Sequence, residues 1–183
     1  VPPRGCAVKV RGGVTCYYYD PAGRLVLCFD RVMTDTEIPR VVSASRTIDA
    51  PVERVFDLIA DPSQQPRWDG NDNLAQAVGG ERVRGVGAVF LMTLTNGAVR
   101  ENHVVEFVEG KRIAWLPSEP GKEPPGHLWR WSVKDLGDGR TEVTHIYDWS
   151  ELSDEKRLVR ARATTADKLL ASMNRLAALA EQP

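Results

Sequence analysis

The sequence predicts an α+β fold: an antiparallel sheet of six to seven strands around one long C-terminal helix, with two short helices after the first strand. Three observations carry that expectation. Residues 47–69, TIDAPVERVFDLIADPSQQPRWD, read as a strand end, a sharply started helix and a second helical turn closing on Trp68. Strand-like runs separated by Gly, Pro and Asn fill the stretch from 73 to 149. A helical pattern then occupies about Asp154 to Glu181.

Taken in order, Val41–Ile48 alternates weakly and is the first strand. Asp49 or Ala50 caps the helix that follows, and Pro51 sits where a missing N–H has no helical partner to lose. Val55, Phe56, Leu58 and Ile59 give that helix an apolar face, and Pro62 and Pro66 break the segment into two pieces. Asn73–Arg84 holds a second strand, interrupted by Gly79-Gly80. Ala88–Thr95 places Phe90, Met92 and Leu94 on one face and Val89, Leu91 and Thr93 on the other, which predicts a central strand. Asn96-Gly97 predicts a type I′ hairpin turn. Val99–Val108 returns, Glu109-Gly110-Lys111 turns, Arg112–Leu116 follows, and the prolines and glycines of Pro117–Gly126 make a loop.

The last hairpin carries most of the aromatic residues. By the two-residue period His127, Trp129, Trp131 and Val133 share a face, as do Thr141, Val143, His145, Tyr147 and Trp149. An antiparallel register then sets Trp131 opposite or near His145. In the closing helix Ser153 is the expected N-cap, and Val159, Ala163, Ala166, Leu170, Met173, Ala177 and Ala180 form a stripe towards the sheet. Its alanines either leave room between helix and sheet or let the two approach closely.

These segments together resemble the START-like (SRPBCC) superfamily of polyketide cyclase/dehydrase type. The residues that carry the likeness are Ile48-Asp49-Ala50-Pro51 with Val55-Phe56, Ile59-Ala60-Asp61-Pro62 and Pro66-Arg67-Trp68. Gly85-Val86-Gly87, Val104–Phe107, Arg112–Trp115 and the His127–Trp149 hairpin around Gly139-Arg140-Thr141 extend it over residues 41–181. The resemblance implies a helix-grip fold, a curved sheet gripping the last helix with a cavity between them. It also implies a hydrophobic or aromatic small-molecule ligand or, alternatively, cyclisation or dehydration of a polyketide-like substrate in the same place.

The expected ligand-binding residues are Trp68, Asn71, Asn73, Phe90, Met92, Trp115, His127, Trp129, Trp131, Val143, Leu170 and Met173. For the enzymatic alternative the candidate catalytic residues are His145, moving a proton near neutral pH, and Tyr147 as its hydrogen-bond partner. Asn71 and Asn73 belong to Asp69-Gly70-Asn71-Asp72-Asn73, which reads first as a turn and second as a source of amide contacts. Arg100 and Asn102 add polar contacts only if their face points inward, which the pattern leaves open. Arg157, Arg160 and Arg162 read as a solvated helix face.

Other chemistries lack their motifs. His103, His127 and His145 have no metal-ligand spacing, no G-x-S-x-G frames a serine, and no G-K-S/T follows the glycines at 79–87. No metal and no cofactor are expected. The 183 residues suit one domain, 42% of them hydrophobic, and a formal charge of −1 offers no face for nucleic acid. No apolar run is long enough to span a bilayer and no signal peptide is visible, so a cytoplasmic monomer or homodimer is expected.

Residues 1–40 are read as an N-terminal extension to a START-like domain over 41–183. All three cysteines, Cys6, Cys16 and Cys28, fall there and are read as unpaired thiols. Tyr17–Tyr19 and Leu25–Phe29 would suit a small hairpin. Three readings stay open: a hairpin added to the sheet, a flexible leader, or upstream sequence ahead of a start at Met33, the last being preferred.

Overall fold

The computed structural model describes residues 7–10, 13–19, 25–29 and 38–182, in two compact units, Val1–Ile38 and Pro39–Pro183. In the first unit β1 (Ala7–Val10), β2 (Gly13–Tyr19) and β3 (Leu25–Phe29) form their own three-stranded antiparallel sheet. Its register sets Cys16 across from Cys28. The Met33 start and Cys6 lie outside the described residues.

The second unit opens with β4 (Val41–Ile48), α1 (Val52–Ala60), a 3-10 turn (Pro62–Gln64) and α2 (Gln65–Trp68). Then come β5 (Leu74–Ala77), β6 (Val89–Leu94), β7 (Val99–Val108), β8 (Arg112–Ser118), β9 (Leu128–Gly137) and β10 (Arg140–Asp148). Two helices, α3 (Glu155–Arg162) and α4 (Ala166–Ala180), close the chain. The seven strands form one curved antiparallel sheet in the order β4-β10-β9-β8-β7-β6-β5. The first strand therefore pairs with the last, and the helix-grip α+β architecture is present.

Local chemistry explains most of the element boundaries. Trp68 donates its indole N–H to the Leu58 carbonyl at 2.8 Å, which folds the short α2 back against α1. The Thr141 hydroxyl donates to the Ala50 carbonyl at 2.7 Å and ties β10 to the entry of α1. Ile48, Val55, Phe56 and Ile59 are fully buried, and Phe56 meets Phe107 edge-on at 5.8 Å. A bulge between Val104 and Glu106 reverses the alternation of β7, so that Phe107 can turn inward after Val104 has already done so.

Several expectations are corrected. The second strand spans only Leu74–Ala77, because Gly79 and Gly80 both take positive φ and end the pairing. The Asn96-Gly97 turn is not type I′: Gly97 alone has positive φ, and the bonds Gly97 N to Leu94 O and Leu94 N to Ala98 O describe a three-residue loop. β6 has neighbours on both sides, yet Val89 is 51% exposed, so the sheet buries one face there and not two. β8 runs on through Pro117, which pairs with Asn102 on β7 beyond the point where β9 has left the ladder.

The largest correction concerns the closing helix, which is broken. Ala163, Thr164 and Thr165 separate α3 from α4, and Asp154, not Ser153, caps α3 by accepting from Lys156 N at 2.9 Å. The expected stripe holds at Met173, Ala177 and Ala180, all buried, and fails at Val159, which is 69% exposed, and at Ala163 and Ala166. Leu158, Ala161, Leu169, Ser172 and Leu176 are buried instead. The buried alanines of α4 thus serve close approach to the sheet.

The loop between α2 and β5 also comes close to α4, at Gly70. A Cβ there would collide with the backbone of Ala171 and Ser172 in α4. Its N–H donates to the Ser172 hydroxyl at 3.1 Å. Among the described residues no helix is long and apolar enough to cross a membrane.

Candidate functional site

Between the concave face of the sheet, α2 and the α3–α4 junction lies a cavity of about 590 Å³, open on the side of α3. That size is within the range of small-molecule sites. Its aromatic wall is built by the β9–β10 hairpin, whose register pairs Trp131 with His145 and Trp129 with Tyr147. Trp131 and His145 stack with centroids 3.7 Å apart and planes at 13°. Trp129 stacks on Tyr147 at 4.2 Å, and His127 meets Tyr147 edge-on at 6.0 Å. Trp68 closes the floor edge-on to Trp131 at 5.1 Å, while Met92, Leu94 and Trp115 extend the apolar surface along β6 and β8.

Of the residues expected here, Trp68, Asn71, Asn73, Met92, Trp115, His127, Trp129, Trp131, His145 and Tyr147 line the cavity. Phe90, Val143, Leu170 and Met173 do not; they pack in or against the hydrophobic core. Phe90 is turned onto the Trp115 ring at 5.6 Å, Met173 is fully buried, and Leu170 packs against the core. Trp149, although on the predicted face, is buried outside the lining.

The Asp69–Asn73 segment is a turn held by its own side chains. The Asp69 carboxylate accepts from the backbone N–H of Asn71, Asn73 and Leu74 at 3.2, 2.6 and 2.8 Å. Asn71 spends its amide on the Lys168 carbonyl and the Ser172 hydroxyl of α4, at 3.3 and 3.5 Å. Asn73 accepts from Arg160 of α3 at 2.6 Å. Both asparagines reach the cavity, and both anchor its helical roof.

Arg100 and Asn102 do face inward, on the same side of β7 as the buried Val104. The sequence reading missed the polar row Arg160, Thr164, Lys168 and Ser172, which also lines the site. The signal was available: four polar residues at intervals of four continue one helix face across the break. Arg157 and Arg160 are not simply solvated, since both border the cavity.

The electrostatics of the wall bear directly on chemistry. Burial lowers His145 to about 3, partly offset by a backbone hydrogen bond with Leu169. Burial, then the charges of Arg157, Arg100 and Arg160, lower His127 to about 4. Burial raises Tyr147 to about 12 against the opposing pull of Arg160 and Arg157. Both imidazoles are therefore neutral at pH 7 and the phenol keeps its proton. Among the described residues no hydrogen bond joins His145 to Tyr147, and the Nδ1 atoms of His127 and His145 are buried without a partner. A histidine held this far below neutrality is a weak base and no acid at pH 7.

His103 stands apart on β7, half-exposed and within 3.1 Å of both Ser118 Oγ and Glu101 Oε1. The three histidines do not converge. A groove of about 650 Å³ between α1 and the end of α4, bordered by Arg54, Asp57, Asp61 and Arg67, is open to solvent and lacks an aromatic wall.

Comparison with known proteins gives a consistent picture. Residues 39–181 match the family model described as polyketide cyclase/dehydrase and lipid transport. An uncharacterized protein of Mycobacterium tuberculosis, Rv0088, is 26% identical over 122 residues, covering 61% of this chain. The chain spans about half the length of that curated relative, the match covering 48% of it. The solution structure of a protein from Arthrobacter aurescens has a TM-score of 0.59 at 21% identity, covering 82% of this chain and 91% of its own. The crystal structure of DynU16, a protein in the dynemicin biosynthetic locus, has a TM-score of 0.54 at 19% identity, covering 79% of this chain and 48% of its own. At these identities the two structures share the fold alone.

Proposed function

The chain belongs to the polyketide cyclase/dehydrase and lipid transport family, and from that premise we propose that it binds a hydrophobic or aromatic small molecule in the cavity of about 590 Å³. One observation carries this reading. The wall presents stacked aromatic faces, Trp129 on Tyr147 and Trp131 on His145, to a hollow whose apolar lining Met92, Leu94 and Trp115 continue. A ligand with an apolar or aromatic body covers these faces. Removing its apolar surface from water contributes roughly 25 cal/mol per Å².

Binding without turnover fits the wall better than cyclisation or dehydration does. General acid–base catalysis of those reactions is served best by a group that exchanges a proton near neutral pH, and burial lowers His145 to about 3 and raises Tyr147 to about 12. The test is native mass spectrometry of freshly purified protein together with titration of a fluorescent apolar dye. A bound mass, or saturable one-to-one dye binding that Trp129→Ala weakens, supports the proposal. Absence of both, with the protein folded, would sink it.

A further inference from the structure

We propose that the ligand of this cavity is an amphiphile with an anionic end, a carboxylate or a phosphate, received by Arg100 together with Arg157 and Arg160. The inference rests on the binding role proposed above and specifies the substrate class. Its first support is the state of Arg100. This guanidinium projects from β7 into the cavity, and its Nη1 donates only to the adjacent Val99 carbonyl at 3.0 Å. Among the described residues no carboxylate forms an ion pair with it. A half-buried, unpaired cation is costly, because burial removes water without supplying a counter-charge.

The acidic groups nearby are already engaged. Glu119 receives Lys122 at 2.6 Å and Arg157 at 3.0 Å. Asp154 caps α3 and receives Arg157 at 3.2 Å. Asp69 is consumed by three backbone N–H groups of its own turn. Among the described residues Arg160 bonds the neutral amide of Asn73 and no carboxylate. Lys156 and Lys168 line the same opening, so positive charge prevails there although the whole chain is nearly neutral.

Neighbouring groups feel this field. Burial first, then the Arg157 charge, with Glu119 opposing and Arg160 adding, hold Arg100 below the ordinary guanidinium value. Burial first, then the same three arginines, depress His127. An anion placed among them would relieve the repulsion. Arginine forks also suit the paired oxygens of a carboxylate or phosphate. The apolar wall lies behind these cations, which dictates an amphiphile, with its tail against Trp129 and Trp131 and its charge towards α3.

The experiment compares dodecanoate, dodecyl phosphate and 1-dodecanol as competitors of a fluorescent apolar dye, at low and high salt. At low salt both anions, or whichever of the two the site takes, are expected to bind about tenfold or more tightly than the alcohol. Arg100→Gln should remove that preference, read as the ratio of anion to alcohol affinity in the same variant. Arg160→Gln should reduce it in part, read as the ratio of anion to alcohol affinity so that any loosening of α3 through the lost Asn73 bond cancels. Alcohol binding equal to that of both anions, or a preference that survives Arg100→Gln, overturns the inference and leaves the cavity reading intact. Loss of all binding, dye included, overturns the cavity reading itself.

Discussion

The imidazole of His145 lies flat on the indole of Trp131, centroids 3.7 Å apart, on adjacent strands whose register makes the two residues direct partners. The stack excludes water from the ring, leaves 5% of His145 exposed and keeps it uncharged. Its first consequence is a dependence of stability on pH.

His145 and His127 titrate near 3 and 4 in the folded protein against 6.5 when unconstrained. Below 6.5 the unfolded chain therefore binds more protons than the folded one, and stability falls as pH drops from about 7 towards 4. At about pH 5.5 each histidine should cost roughly 1 kcal/mol relative to pH 7.5. Denaturant unfolding at the two pH values should show the loss, and His145→Asn should remove about half of it. An unchanged pH difference in the variant would contradict the assignment.

Trp131 is 1% exposed and contacts both Trp68 and His145. Trp131→Ala should destabilise the protein by about 3–5 kcal/mol, through lost burial and a residual void. Trp129 is half-exposed and stacks only within the wall. Trp129→Ala should destabilise the protein less than Trp131→Ala does and weaken an apolar probe roughly threefold to tenfold. Chemical denaturation and dye titration separate the two outcomes.

Gly70→Ala places a methyl group against the α4 backbone, where no side chain can yield. The loop or the helix must shift, at a cost of about 1–3 kcal/mol or more. A midpoint for Gly70→Ala equal to the parent in urea would mean that the loop and α4 are not in contact in solution.

α3 buries only Leu158 and Ala161, whereas α4 buries six residues. Amide hydrogen exchange should therefore be faster in α3 than in the second half of α4. Arg160→Ala, which removes the bond to Asn73, should accelerate it further.

Much of the sheet was legible because strands with one buried face write a two-residue period into the chain. Val41–Ile48 and Val99–Val108 match the expected bounds, and Trp131 does face His145. The helix break was not legible. Thr164 and Thr165 are unremarkable in a helix, and the stripe of Val159, Ala163 and Ala166 satisfied the helical period while facing solvent. The cavity rim eluded the sequence for a related reason. Composition alone cannot tell a solvated arginine from one bordering a hollow, as Arg157 and Arg160 do. The depressed histidines were hidden too, since burial is a property of the assembled wall.

Four of the five tryptophans, Trp68, Trp115, Trp129 and Trp131, look into the same hollow. Their near-ultraviolet emission should change in colour and intensity when a guest enters. The molecule thus carries its own optical gauge of occupancy, and candidate compounds can be screened against it without any label.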